Sequence, residues 1–343
     1  MADVSRLLGG RDGADAAARG DRTERAQLIL ITGLTLAVIL VAVVLLLNTV
    51  IYTENLATRG VDAGGGEAVE FREGTVDDIE GLLVRTNWTD TDRETFEADL
   101  DRYASSTGEH RIREGIRASI ETDPAAGAYV AQDADRGLVP SDDYLESEGE
   151  EETVDPGDEW TLVEGATRTR SYVLDVRVPD GDRIEDESDV DSGAFRLRVE
   201  GGGNSWDVEI YWLEDDDDVT VRIDGEEYDG TGDGVRLDLT DGTVGGERKS
   251  FVWADGVEDE SGGQAYNVSY ENGDTVSGTY AFVVDAPGGV RTASPTDPLH
   301  ADPDDGSPYA VDAVYDVTVD VRHHTPDLRY EDRVRVAPGE RDD

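Results

Sequence analysis

The sequence predicts a mainly β fold with N-terminal helices: one transmembrane α-helix, short amphipathic helices, then an antiparallel, β-sandwich-like ectodomain. Three observations predict it. Residues 27–51, QLILITGLTLAVILVAVVLLLNTVI, carry no charged side chain. Between Val76 and Ile120, apolar residues recur at helical spacing. From about Gly127 they recur every second residue, in short runs separated by Gly/Asp turns. The expected division is a disordered cytoplasmic leader at 1–26, the transmembrane helix at 27–51 and a helical juxtamembrane stalk at 52–123. The β ectodomain at 124–338 and a loose tail at 339–343 follow.

The apolar core of the first stretch, Leu28 to Leu47, is interrupted only by Thr32, Gly33 and Thr35. Twenty helical residues rise about 30 Å, the thickness of a bilayer's hydrocarbon core. One such segment cannot close a barrel, so a helix is the structure that satisfies its backbone in lipid. Five arginines precede it (Arg6, Arg11, Arg19, Arg22, Arg25), and Arg59 is the one basic residue soon after Ile51. This asymmetry places the N-terminus in the cytoplasm and the C-terminal domain outside.

Three short helices are expected next. Val76, Ile79 and Leu83 form one stripe. Thr91 to Glu94 reads as a capping box before Phe96, Leu100 and Tyr103, with Ser105 to Gly108 as the stop. Ile112, Ile116 and Ile120 give a third stripe, ended before Pro124. The helices form a stalk or pack on the domain that follows.

The strands follow in order. Tyr172 to Val178, Phe195 to Val199, Trp206 to Trp212 and Val219 to Ile223 alternate, the last running into the hairpin signal Asp224-Gly225. Val235 to Leu239 runs into Asp241-Gly242. Tyr266 to Phe282 reads as a hairpin turning at Asn272-Gly273. In Val311 to Val321, Ala313, Tyr315, Val317 and Val319 share one face, and Asp312, Asp316 and Asp320 share the other, toward solvent. Pro140 to Asp158 and Ala286 to Pro308 read as long loops.

Charge narrows the setting. There are 80 acidic and 30 basic side chains, a formal charge of -50, and Lys249 is the single lysine. Such a charge repels itself, and molar salt screens it by cutting the Debye length to about 3 Å. A requirement for high salt is therefore expected, and nucleic acid is a poor partner because phosphate is repelled. Zero cysteines exclude disulfides, thiolate metal sites and cysteine nucleophiles.

The acid-rich, lysine-poor composition resembles that of proteins of extremely halophilic archaea. At the N-terminus, Arg25-Ala26-Gln27-Leu28 resembles the class III signal of archaeal type IV pilin-like proteins. That resemblance implies cleavage between Ala26 and Gln27, leaving the apolar helix on the mature chain. Many pilins carry a glutamate at the fifth mature position, where this chain has Ile31. The alternative is an uncleaved signal anchor. The stretch from Arg25 to Arg59 is also similar to the start of a group of uncharacterised haloarchaeal single-pass membrane proteins, a resemblance that carries no activity.

No catalytic constellation stands out, and no enzyme activity, cofactor or metal is expected. The histidines are His110, His300, His323 and His324; the adjacent pair projects to opposite faces of a strand, which suits one metal poorly. The acid runs at Asp215 to Asp218, at Asp186/Asp189/Asp191 and at Asp302/Asp304/Asp305 lack the EF-hand pattern and read as solvated loop tips. Gly201-Gly202-Gly203 reads as a turn. Two sequons, at Asn87 and Asn267, are candidate N-glycosylation sites on an exported chain.

The expected role is that of a membrane-anchored extracellular structural or interaction protein of a haloarchaeal cell envelope, such as a pilin-like subunit. Its partners would be the membrane, crossed once, and pilin-like or envelope proteins. The alternatives are a tethered solute-binding or sensory ectodomain, for which an enclosed polar pocket would speak, and a surface hydrolase, for which a cleft with two acids of divergent pKa would speak.

Overall fold

The computed structural model describes residues 32–44, 65–88, 93–147, 155–258, 264–286, 290 and 297–340. The chain divides into two compact units, Met1–Gly66 and Glu67–Asp343.

In the first unit, residues 32–44 form helix α1. Its large apolar side chains are exposed on every side: Val38, Ile39, Leu40 and Val41, consecutive in sequence, are 61, 53, 57 and 60% exposed. Among the described residues no helix is long and apolar enough to cross a membrane. The rest of the expected 27–51 span and the 1–26 leader lie outside the described residues.

The second unit opens with two long helices, α2 (Gly65–Trp88) and α3 (Arg93–Arg113), where three short ones were expected. Ser105 to Gly108 does not stop α3; Gly108 faces β1, and a Cβ there would stand 3.4 Å from the Ala118 carbonyl. The third helical stripe is a correction. Gly115, at φ +83°, ends the helical run, and Arg117–Gly137 is strand β1, with Pro124 inside it. Isoleucines four apart fit a helix, but four is also a multiple of two, so Ile120 and the residues after it satisfy strand period as well.

Thirteen further strands complete two antiparallel sheets. They are β2 (Trp160–Ala166), β3 (Arg168–Arg177), β4 (Phe195–Gly201), β5 (Asn204–Tyr211), β6 (Thr220–Ile223) and β7 (Glu226–Asp229). β8 (Gly234–Asp238), β9 (Thr243–Val244), β10 (Glu247–Arg248) and β11 (Tyr266–Glu271) follow, then β12 (Ser277–Asp285), β13 (Tyr309–His324) and β14 (Arg329–Val336). The larger sheet runs β10-β9-β8-β3-β12-β1-β13-β14 and the smaller β2-β11-β4-β5-β6-β7. Short helices α4 (Asp142–Ser147) and α5 (Val190–Gly193) lie in connections.

Alternation decides where the core lies. Tyr172, Leu174 and Val176 of β3 and Tyr280, Phe282 and Val284 of β12 face Leu197, Val199, Trp206, Val208 and Tyr270 of the smaller sheet. The Tyr172 and Tyr270 hydroxyls meet at 2.7 Å, which satisfies both polar ends inside that core. On the other face of the larger sheet, Phe71, Ile79 and Leu83 of α2 and Phe96 and Leu100 of α3 pack on Ile120, Val317, Val319 and Val321. Of the two arrangements expected for the helices, a stalk or a layer packed on the domain, the second is found: Arg72 of α2 ties the layer to Asp332 of β14 (3.0 Å), and Tyr103 of α3 bonds to Asp78 of α2 (2.9 Å).

The expected hairpin at Asn272-Gly273 is a second correction. β11 and β12 belong to different sheets, so this turn is an arch over the open end of the sandwich. Asn272 has φ +56°, and its amide donates to the Ala194 carbonyl at 2.9 Å. The Leu138 N–H donates to the Gly273 carbonyl at 2.8 Å, and a Cβ on Gly273 would collide with the Leu138 carbonyl. Asp224-Gly225 does make a hairpin, with φ +49° and +82°. Asp316 does not face solvent either: it is 7% exposed and bonded to Arg335.

The solvent face of the smaller sheet is an ion-pair ladder. Glu271, Arg196, Glu209 and Arg222, on β11, β4, β5 and β6, bond in succession at 2.6, 2.9 and 2.5 Å. Burial alone would raise the Glu209 pKa; the bonds from Arg196 and Arg222 outweigh it and hold the carboxyl below its ordinary range.

Candidate functional site

A cleft of about 710 Å³ brings together acids and arginines from distant parts of the chain. The start of β3 supplies Arg168 and Thr169, the segment after β10 supplies Trp253 and Glu258, and the end of β14 with the tail supplies Arg335 and Glu340. Tyr266, the first residue of β11, closes the inner side through Glu258.

Glu258 is the central group. Its Oε2 accepts hydrogen bonds from the Trp253 indole N–H and the Tyr266 hydroxyl, both at 2.8 Å. The Tyr266 hydroxyl also lies 2.7 Å from the Thr169 hydroxyl. Burial pushes the Glu258 carboxyl above its ordinary range; these two hydrogen bonds oppose the shift, and the charge of Glu340 adds to it. Burial likewise pushes the Tyr266 hydroxyl well up.

Glu340 stands between two guanidinium groups, Arg335 at 2.6 Å and Arg168 at 3.8 Å. The expected loose tail at 339–343 is therefore corrected for its described part: the Ser171 N–H donates to the Gly339 carbonyl at 2.9 Å, and Glu340 is tied to the sheet. Residues 341–343 lie outside the described residues.

Beneath the tail lies Arg170, 2% exposed. It donates to the carbonyls of Tyr315 (2.7 Å), Pro338 (2.9 Å) and Val314 (3.0 Å). Burial lowers its pKa to about 10, against the raising charges of Tyr315, Glu340 and Asp316. The Tyr315 ring has Arg170 5.6 Å and Arg335 5.7 Å from its centroid, and its buried hydroxyl has no hydrogen-bond partner among the described residues.

A groove of about 930 Å³ adjoins the cleft on the outer face of the larger sheet, sharing Trp253 and residues 338–340 with it. Tyr129, Val173, Ala281 and Val283 line it, with Val84 of α2 and Phe251 as further apolar walls. Three of its cations are matched by acids: Arg236 with Asp175, Arg248 with Asp241 and Lys249 with Glu247.

This arrangement is suited to binding. Glu340 has an oxygen on each of two arginines, so it anchors the tail. Glu258 is the buried carboxyl of the cleft, held by Trp253 and Tyr266. Sequence reasoning missed the site because its members come from four separate segments. The aligned charges Arg168, Arg170 and Arg335 on strand-patterned stretches were the available signal.

The sequence-predicted residues do not converge here. Ala26 and Gln27 lie outside the described residues, and Asn87 is the residue before the last of α2, with nothing described of its side chain. Asn267 is exposed on β11, its Oδ1 accepting from the Gly165 N–H at 3.0 Å. His323 and His324 do face opposite ways, one buried and one partly exposed. Among the described residues no group of three His, Cys, Asp or Glu side chains is placed to hold a metal ion. Asp186 and Asp302 accept the N–H two residues on, and Asp218 accepts the Gly232 N–H at 2.6 Å, so part of each acid run fixes its own turn. Gly202 and Gly203, with φ +59° and +88°, make the turn between β4 and β5.

No curated protein and no solved structure matches the chain. A family model does match residues 22–139, about a third of the chain; it is described as a family of unknown function (DUF7261). The similarity to that family thus takes in α1, the α2–α3 layer and β1, and of the cleft's lining includes Val76 and Glu80 but none of Arg168, Trp253, Glu258, Arg335 and Glu340.

Proposed function

We propose that the chain is a single-pass membrane protein that displays an acid-surfaced β domain outside the cell and acts there through binding. The observation that supports this reading is α1. Leu34, Leu36, Val38, Ile39, Leu40, Val41, Val43 and Val44 are each more than half exposed, around the whole helix. A helix apolar all round is stable in lipid or packed among other helices, not in water. The charge-free sequence continues on both sides of it, and the arginines before it favour a cytoplasmic N-terminus. Pilin-type processing at Ala26-Gln27, a haloarchaeal envelope setting, a need for high salt and a glycan at Asn267 belong to the same reading.

A second reading, a tethered solute-binding domain, is favoured by the cleft around Glu258 and its adjoining groove. The hydrolase reading has less support, since both oxygens of Glu340 are engaged. Intact mass of membrane-extracted protein tests the proposal. A chain beginning at Gln27 supports pilin-type processing, and one that keeps its leader supports an uncleaved anchor. Recovery of the full chain from the aqueous fraction, without detergent, would refute membrane anchoring.

A further inference from the structure

The joint between the α2–α3 layer and the larger sheet contains a group that neither side satisfies. His323 lies on β13 between Ala118 of β1 and Tyr330 of β14. It shares the face of Val317, Val319 and Val321, under the helices. It is 0% exposed. The Phe71 ring of α2 covers it with centroids 5.9 Å apart, and the Arg111 guanidinium of α3 lies 5.1 Å over that ring. Neither Nδ1 nor Nε2 has a hydrogen-bond partner among the described residues. A neutral imidazole has one donor and one acceptor; an imidazolium has two donors and a full charge.

The charged and titratable groups around it do not offer that charge a partner. α2 brings Glu67, which already pairs with Arg111 of α3 at 3.0 Å. β13 brings His324, 3.6 Å from Glu331 of β14. β14 also brings Tyr330, bonded to Asp332, which pairs with Arg72 of α2. β1 brings Ala118. Burial is the largest influence on His323 and favours the neutral ring; Glu67 opposes it, and Arg111 and His324 reinforce it.

We propose that His323 makes the docking of α2 and α3 onto the sheet an acid-sensitive joint. An imidazolium at this position must reach water, and the route to water is to lift the helices at Phe71. The sandwich core, on the opposite face of the sheet, is left intact. The direction follows from linkage. The docked state holds the histidine below its ordinary pKa, so it binds fewer protons than the open state. Docking is full above about pH 6.5 and weakens as pH falls through that value, until the lowered pKa of the docked state is reached.

The test is amide exchange of the full chain in molar salt and detergent, at pH 7.5 and 5.5, corrected for intrinsic rates. The α2 and α3 segments are compared with β4 and β5, in wild type and in His323→Phe. The expected result is a rise of about threefold or more in the opening constant of the helices in wild type, with β4 and β5 unchanged and the variant flat. No rise in wild type, or an equal rise in both proteins, overturns the proposal. If the variant does not fold, proton NMR titration of the wild-type imidazole decides. A midpoint below about 6.5 supports the joint, and one at or above it overturns it.

Discussion

Arg170→Met removes one guanidinium and should loosen both the middle of β13 and the tail. The side chain is 2% exposed and satisfies three carbonyls, on Val314, Tyr315 and Pro338. Hydrogen bonds from a charged donor contribute about 1.5 kcal/mol each at the low end, or about 4.5 kcal/mol for three. Part of this is returned, because methionine carries no charge to be desolvated by the burial that lowers the arginine pKa to about 10. Allowing about 1.5 kcal/mol for that relief leaves a net loss of about 3 kcal/mol, in the range found when one side of a buried polar arrangement is removed. Urea unfolding in molar salt reads it as a lowered midpoint with an unchanged slope. Arg170→Lys should lose nearly as much, because one ammonium cannot span three carbonyls as a planar fork does. A methionine variant within about 1 kcal/mol of wild type, or a lysine variant indistinguishable from it, would refute the reasoning.

Other predictions follow from single contacts. Gly273→Ala should cost about 2 kcal/mol or more, because its Cβ would meet the Leu138 backbone at the arch between the sheets; an unchanged melting temperature would show that the arch can move. Glu258→Gln should raise the melting temperature at pH 7 while keeping an acceptor for Trp253 and Tyr266. The raised carboxyl pKa means that the charged form costs folding free energy above that pKa and the cost fades as pH falls, so the gain should shrink toward acid pH; a destabilised variant would mean that the charge is needed by Arg168 or Arg335. Transfer from about 3 M to about 0.1 M salt lengthens the Debye length to about 10 Å and should unfold the acidic domain; unchanged circular dichroism would count against the salt requirement.

Several elements were legible in order because they depend on local period and turn chemistry. Tyr172 to Val178, Trp206 to Trp212 and the Asp224-Gly225 hairpin are where alternation and positive φ at the turn predict them. The candidate cleft was not legible. Glu258 becomes unusual because Tyr266 and Glu340 arrive from other segments to join Trp253, and no spacing in sequence records that.

By itself the sequence determined the acid surplus, the absence of thiol chemistry, the charge-free N-terminal stretch and the β character of the domain. These are sums or short-range periods, which a linear reading can count. Tertiary structure decided that Ile120 lies in a strand rather than a helix, and that the turn at Asn272 spans two sheets. It also decided that Asp316 is buried while Asp312 of the same strand is exposed, and that His323 is buried while His324 is partly exposed. The reason is one of pairing. Which sheet a strand joins, and which face a helix layer covers, depend on contacts between residues far apart in the chain, whose free energy appears only once both partners are in place.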